Sequence, residues 1–324
     1  MKCINVPSLV GIIVCLMFIS LNSLGQQDRA DLKKTIKTIA SRHPAKIGFA
    51  VIDLQSGDTI DFNGKAHFPM QSAYKFHLAL AVLKQVDEGK LKLDQQIFVT
   101  AKDLLPNPWS PMREKYPHGN VSITLAEILS YSVSQSDNNG CDMLFRLIGG
   151  SSAVHQFIHS VGIQDVARVA TEEEMHMNQK IQFKNWSTSF SAVQLLKLFY
   201  DNKMLSKSSG DLLLDIMMKT ISGPNKIKGL LPKVTIVAYK MDSSGTNSAG
   251  VTVASNDIGI VSLPDGKNFA IAVFVSMTNE EEKVTDQIIP EFTKGAWNYF
   301  LKEDTLSFQR NVINQQSDSI DLLL

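Results

Sequence analysis

Cysteine is scarce in this chain: there are three among 324 residues, and Cys3 and Cys15 both fall within the first 25. Beyond them only Cys141 remains, so the rest of the chain forms no internal disulfide and must hold together by packing. An excess of one charge is also missing. Lysine plus arginine number 32 and aspartate plus glutamate 32, which leaves no basic field for nucleic acid. Internal repeats and low-complexity segments are absent. A hydrophobic content of 44% over this length suffices for one large domain or two interleaved ones.

Long apolar runs are lacking too. The stretch from Val10 to Ile19 is too short for a comfortable membrane span, which takes about 20 residues. It follows the one charge of this segment, Lys2, and precedes Ser23-Leu24-Gly25, small residues at the positions a signal peptidase reads. Residues 1–25 therefore read as a cleaved secretory signal, with an uncleaved N-terminal anchor as the alternative. Val14 before Cys15 argues against a lipoprotein site. Cleavage leaves 31 basic residues against 32 acidic, a net charge of −1. The expectation is a periplasmic or secreted monomer with no stable membrane association.

Periodicity organises the remainder. Leu32, Ile36 and Ile39 mark a helix, Ile47 to Asp53 a strand, and Ser56-Gly57-Asp58 a turn into a second strand, Thr59 to Phe62. The run from Phe76 to Val86 is apolar nearly all round, as in a helix buried in the middle of a domain. Helical segments dominate from Ala101 to Thr220 (Leu125 to Tyr131, Asn138 to Ile148, Ala153 to Val161, Ser191 to Tyr200, Asp211 to Met218). After Gly223-Pro224 strands return at Val234 to Met241, Val251 to Leu263 and Phe269 to Val275, and Pro264-Asp265-Gly266-Lys267 turns between the last two. A helix from Glu280 to Leu301 closes the pattern. The expected fold is α+β, an antiparallel sheet built from both termini and flanked by helices, with an inserted all-helical domain. Residues 26–66 and 222–303 would form the α/β domain and 67–221 the helical one; the tail 304–324 has no clear period.

Chemistry concentrates at Ser72-Ala73-Tyr74-Lys75, where the apolar helix begins. A serine hydroxyl is inert at neutral pH unless a neighbour takes its proton. A lysine one turn on does so if crowding by other donors keeps its amine partly neutral. The helix N-terminus adds unpaired N–H groups for an oxyanion. Ser136-Asp137-Asn138 places a hydroxyl and a carboxamide two residues apart, and also reads as an N-cap cluster. His155 and His159 have the i, i+4 spacing of two ligands on one helix face, but Gln156 stands where a zinc protease has glutamate. No metal or other cofactor is expected, and the two read as surface histidines.

The order Ser-x-x-Lys, Ser-Asp-Asn, then a lysine-centred strand resembles the active-site-serine β-lactamases and penicillin-binding proteins. Phe68 to Gly89, Trp109-Ser110-Pro111, Ser134 to Gly150, Thr171 to His176 with Asn185-Trp186, and Asn256 to Lys267 resemble the PER-type branch of class A β-lactamases, over nearly the whole chain after residue 25. The resemblance implies a β-lactam substrate attacked by Ser72, with Lys75 as base or Glu172 acting through a water. It implies Ser136 as proton relay to the departing nitrogen, Asn138 and Lys240 as substrate contacts, the N–H groups of Ser72 and Ser243 as oxyanion hole, and Trp109 as cleft wall or ordinary aromatic. Glu172 would activate the deacylating water; Glu174 is the second choice for that role.

One element departs from the pattern. Where the family has Lys-Thr-Gly or Lys-Ser-Gly, this chain has Lys240-Met241-Asp242, so a side chain intrudes on a wall that normally has none. Alternation puts Asp242 on the face of Lys240, where the two are expected to pair and weaken the field for an anionic substrate; Met241 would remove a polar contact. A weakened lactamase, a D,D-peptidase-like penicillin-binding protein and an impaired binding protein all follow as readings.

Overall fold

Helix α1 (26–41) precedes β1 (Lys46–Asp53) and β2 (Thr59–Phe62), and β3 (Phe68–Pro69) leads through a 3-10 turn, Gln71–Tyr74, into α2 (Lys75–Asp87). The computed structural model describes residues 26–168 and 170–321; the expected signal segment, 1–25, lies outside the described residues. Then come β4 (Gln96–Val99), α3 (Pro111–Lys115), β5 (Val121–Thr124), α4 (Leu125–Ser134), α5 (Asn138–Ile148), α6 (Ser151–Ser160) and β6 (Val166–Ala167). The chain continues through α7 (Glu172–Met177), β7 (Trp186–Ser187), α8 (Ser189–Tyr200) and α9 (Lys207–Met218) to β8 (Val237–Ser243), β9 (Thr252–Ser262), β10 (Asn268–Thr278) and α10 (Glu282–Asp321).

The main sheet has the order β2-β1-β10-β9-β8 and is antiparallel throughout. Its hairpins rest on local chemistry. Asp53 Oδ1 accepts the N–H groups of Gln55 and Ser56, each at 2.7 Å, and Gly57 takes φ +82°, a conformation with no Cβ penalty only for glycine. At the β9–β10 turn Asp265 Oδ1 accepts Lys267 N–H at 3.0 Å and Gly266 takes φ +88°.

Because side chains alternate along a strand, the sheet divides two cores. Phe49 and Val51 of β1, with Ile271 and Val273 of β10, pack under Leu32 and Ile36 of α1 and Phe292 and Trp297 of α10. Ala50 and Ile52, with Ala272 and Phe274, face the helical side, where α8 lies across β1 and β10. There Phe76 to Leu83 of α2 are all buried and α4, α5, α6 and α9 surround them. The helical block also holds strands too short for periodicity to reveal: β4 pairs with β5, and β7 lies between β3 and β6. The closing helix runs past Leu301 to Asp321, through a tail with neither glycine nor proline to stop it.

Candidate active site

Ser72 lies in the 3-10 turn at the mouth of α2, beside Gln71, whose φ of +43° is unusual for a side-chain-bearing residue. The cleft in front of it has a volume of about 420 Å³; Asn138, Glu172, Asp242 and Ser243 share its lining. Four elements thus converge: the start of α2, the α4–α5 turn, α7, and the end of β8.

The α4–α5 turn divides its labour by residue. Asp137 is the N-cap of α5: its Oδ1 accepts Gly140 N–H at 2.7 Å, while Oδ2 accepts the Ser110 hydroxyl at 2.8 Å and Met112 N–H at 2.7 Å. Its neighbours are thereby held for other work. Ser136, at φ +58°, accepts Lys240 Nζ on its hydroxyl at 3.0 Å, and Asn138 Oδ1 accepts Lys75 Nζ.

Lys75 is fully buried, and its ammonium also donates to Ser136 O at 2.9 Å and stands 3.3 Å from Glu172 Oε1. Burial alone would lower its pKa, but Glu172 and more distant acidic groups outweigh that and raise it. The condition for a partly neutral amine, crowding by other donors, is not met in the resting site: acceptors surround Lys75. Glu172 is the counterpart. Burial would raise its pKa, yet Lys75, the Tyr74 hydroxyl that donates to it, and Arg168 together hold it below the usual carboxylate value.

The α7 segment is fastened from outside. Asp142 on α5 accepts Glu172 N–H and Glu173 N–H, one on each oxygen, both at 2.9 Å. Glu174 instead closes a capping box with Thr171: its carboxylate accepts Thr171 N–H at 2.7 Å and faces solvent. Asn185 bonds Ala170 on both backbone groups, and Trp186 stacks on His67 with ring centroids 3.5 Å apart. Arg168, buried, lies 3.7 Å over the Tyr74 ring. The roles of Asp142 and Arg168 escaped the sequence reading; a charged residue on an otherwise apolar helix face was the available signal for Asp142.

On β8, Lys240 and Asp242 do share a face, but no hydrogen bond joins their side chains. Lys240 donates to Ser136 and to Met241 O, and Asp242 Oδ1 accepts Ser72 N–H at 2.8 Å. The expected Lys240–Asp242 pair is thus replaced by a contact to the backbone of Ser72. Burial raises the pKa of Asp242 against that bond and the nearby lysines, and burial with the Lys75 charge lowers that of Lys240. Met241 packs instead on the core beneath α1 and α10, against Gly223. Trp109 is 60% exposed, with Nε1 donating to Gln135 O; Pro108 before it lines the cleft, and Trp109 O accepts Asn138 N–H. His155 and His159 are half-buried rather than on the surface. Their rings lie 4.0 Å apart on α6, and among the described residues no group of three or more His, Cys, Asp or Glu could hold a metal ion.

Comparison with known proteins places this geometry. Residues 31–300 match a family described as the beta-lactamase enzyme family. The chain is 41% identical over 300 residues to beta-lactamase VEB-1 of Pseudomonas aeruginosa, covering 92% of this chain and 99% of that protein. It is 41% identical over 272 residues to the extended-spectrum beta-lactamase PER-1 of the same organism, covering 84% and 88%. The crystal structure of the TLA-1 extended-spectrum beta-lactamase superposes with a TM-score of 0.82 at 50% identity, over 84% of this chain and 98% of that one.

Proposed function

Since the chain belongs to the class A β-lactamases, in their PER-type branch, we propose that it opens the β-lactam amide through an acyl-enzyme on Ser72 and releases it with water activated by Glu172. The observation that carries this reading is the Glu172 carboxylate 3.3 Å from the Lys75 ammonium at the edge of the Ser72 cleft.

In the resting site Lys75 keeps its proton and Glu172 lacks one, so Glu172, through a water, is the acceptor for the Ser72 proton, with Lys75 balancing the charge. Ser72 Oγ bonds to the carbonyl carbon, whose oxygen needs the Ser72 and Ser243 N–H groups. The carbon–nitrogen bond then breaks. Ser136 is suited to protonate the departing nitrogen: its oxygen accepts from Lys240, which leaves its own hydrogen free, and Lys240, with a lowered pKa, can replace it. Asn138 has its Oδ1 engaged by Lys75, leaving Nδ2 to donate to a substrate amide. Glu172 gives up that first proton to solvent as Lys240 regains one, then takes a proton from the water that attacks the ester and hands it to Ser72 Oγ as the ester carbon–oxygen bond breaks.

Among the described residues no helix is long and apolar enough to cross a membrane. We further propose that residues 1–25 are removed on export and that the enzyme acts as a periplasmic or secreted monomer, which the intact mass of the recovered protein tests.

Hydrolysis of a chromogenic cephalosporin by the mature protein, lost in Ser72→Ala, is the expected result. Covalent labelling by a penicillin without turnover would instead establish a binding protein. Absence of label at Ser72 would overturn the acyl-enzyme reading.

A further inference from the structure

The Ser72 amide that a substrate carbonyl needs is already engaged. Asp242 Oδ1 accepts it at 2.8 Å, from a side chain only 3% exposed, while Asp242 Oδ2 is buried with no hydrogen-bond partner. The backbone that carries this carboxylate is firmly anchored. Asp242 pairs in register with Asn256, whose Nδ2 bonds Pro69 O at 2.9 Å just ahead of the Ser72 turn, and Lys226 Nζ donates to Asp242 O at 2.7 Å.

Building on the proposed function, we infer that Asp242 is an internal competitor for the substrate's acyl carbonyl, occupying the Ser72 N–H until the substrate displaces it. Two anionic acceptors cannot share one N–H, so the forming oxyanion and the Asp242 carboxylate exclude each other there. The cost falls on entry and acylation. Once the ester has formed, its carbonyl already holds the amide, and deacylation proceeds with Asp242 set aside.

Protonation weakens the competitor, because a neutral carboxyl is a poorer acceptor and Oδ2 is free to carry the hydrogen. The charged groups facing Asp242 are Lys240 on its own strand, Lys226 from the segment before β8, and Glu172 from α7; Lys75 of α2 and Asp257 of β9 act on Lys240. Glu172 is held below its usual value, so its loss as base lies further to the acid side.

The test follows acylation and deacylation separately, by single-turnover kinetics and mass spectrometry with a chromogenic cephalosporin. Asp242→Ala is expected to speed acylation by about 10- to 100-fold, the worth of one hydrogen bond to a charged group, with deacylation nearly unchanged. Asp242→Asn keeps an acceptor but cannot titrate, so the wild-type rise in acylation towards lower pH should vanish. In 15N-labelled wild-type protein the Ser72 amide proton should shift as Asp242 titrates, a readout that needs neither turnover nor a variant. Unchanged acylation in Asp242→Ala overturns the inference while leaving the lactamase reading intact, and so does a Ser72 amide that ignores the titration. Absence of penicillin label at Ser72, by contrast, overturns the function, and the amide shift still decides whether Asp242 holds that N–H.

Discussion

Asp142 Oδ1 accepts the backbone N–H of Glu172 at 2.9 Å, so a carboxylate on α5 sets the position of the carboxylate proposed to activate water. Asp142 pays for that post in its own ionisation: burial and the Glu172 charge push its pKa to about 7. Asp142→Asn keeps one acceptor oxygen for two N–H groups and leaves one donor of α7 unmatched. The expected loss is about 1–3 kcal/mol of stability, with a slower deacylation step, read by denaturant melts and by acyl-enzyme accumulation.

Glu172 and Glu174 differ in kind despite lying two residues apart. Glu172→Gln also removes the charge that chiefly raises the Lys75 pKa, so Lys75 takes over the Ser72 proton; turnover should slow by about 100- to 10,000-fold at deacylation and leave the acyl-enzyme visible by mass spectrometry. Glu174→Ala should leave the rate close to that of the wild type and lower stability by about 1 kcal/mol, through loss of the capping box. Reversal of the two phenotypes would transfer the role to Glu174.

Asp137 accepts three donors in a fully buried position. Removing them all by Asp137→Ala should cost about 3 kcal/mol or more and release Ser136 and Asn138 from register. A thermal melt with parallel acylation kinetics checks both effects; a stable variant with intact acylation would show that the turn holds without its cap.

Asp257, buried on β9, accepts Ile227 N–H at 3.1 Å on one oxygen and has no hydrogen-bond partner on the other. Burial raises its pKa to about 7. The folded state therefore binds this proton more tightly than the unfolded chain, whose aspartates titrate near ~3.9. Its contribution to stability is complete below the unfolded value and is lost as pH rises through the folded one. Asp257→Asn keeps the acceptor for Ile227 and removes the titration, so it should stabilise the protein by about 2 kcal/mol at alkaline pH and little in acid. Melting curves on both sides of neutrality decide it.

The sequence carried a good deal of this. The buried helix α2 was legible because Phe76 to Val86 is apolar on every side, and the hairpin turns because Gly57 and Gly266 stand where φ must be positive. The Ser136-Asp137-Asn138 cluster admitted two meanings: the middle residue caps α5, while Asn138 lines the cleft and Ser136 takes Lys240 on its hydroxyl. What stayed hidden depends on contacts between distant segments. That Asp242 would reach Ser72 rather than Lys240 is a matter of how β8 packs on the Ser72 turn, to which alternation along one strand is blind. The protonation of Lys75 likewise depended on Glu172 and Asn138 arriving from two other elements.

The sheet order has a bearing on synthesis. Strand β1 lies between β2 and β10, with Lys46 opposite Ser276, so one of the earliest strands made waits for one of the last before both its edges are covered. Such remote pairing slows folding, and an uncovered edge invites association with other chains. A chain released before its final hairpin would carry Ser72 and Lys75 in sequence but have no β10 to close the sheet beneath them. Ribosome stalling before β10 is made, or proteolytic loss of that strand, should therefore yield aggregates rather than a half-active fragment.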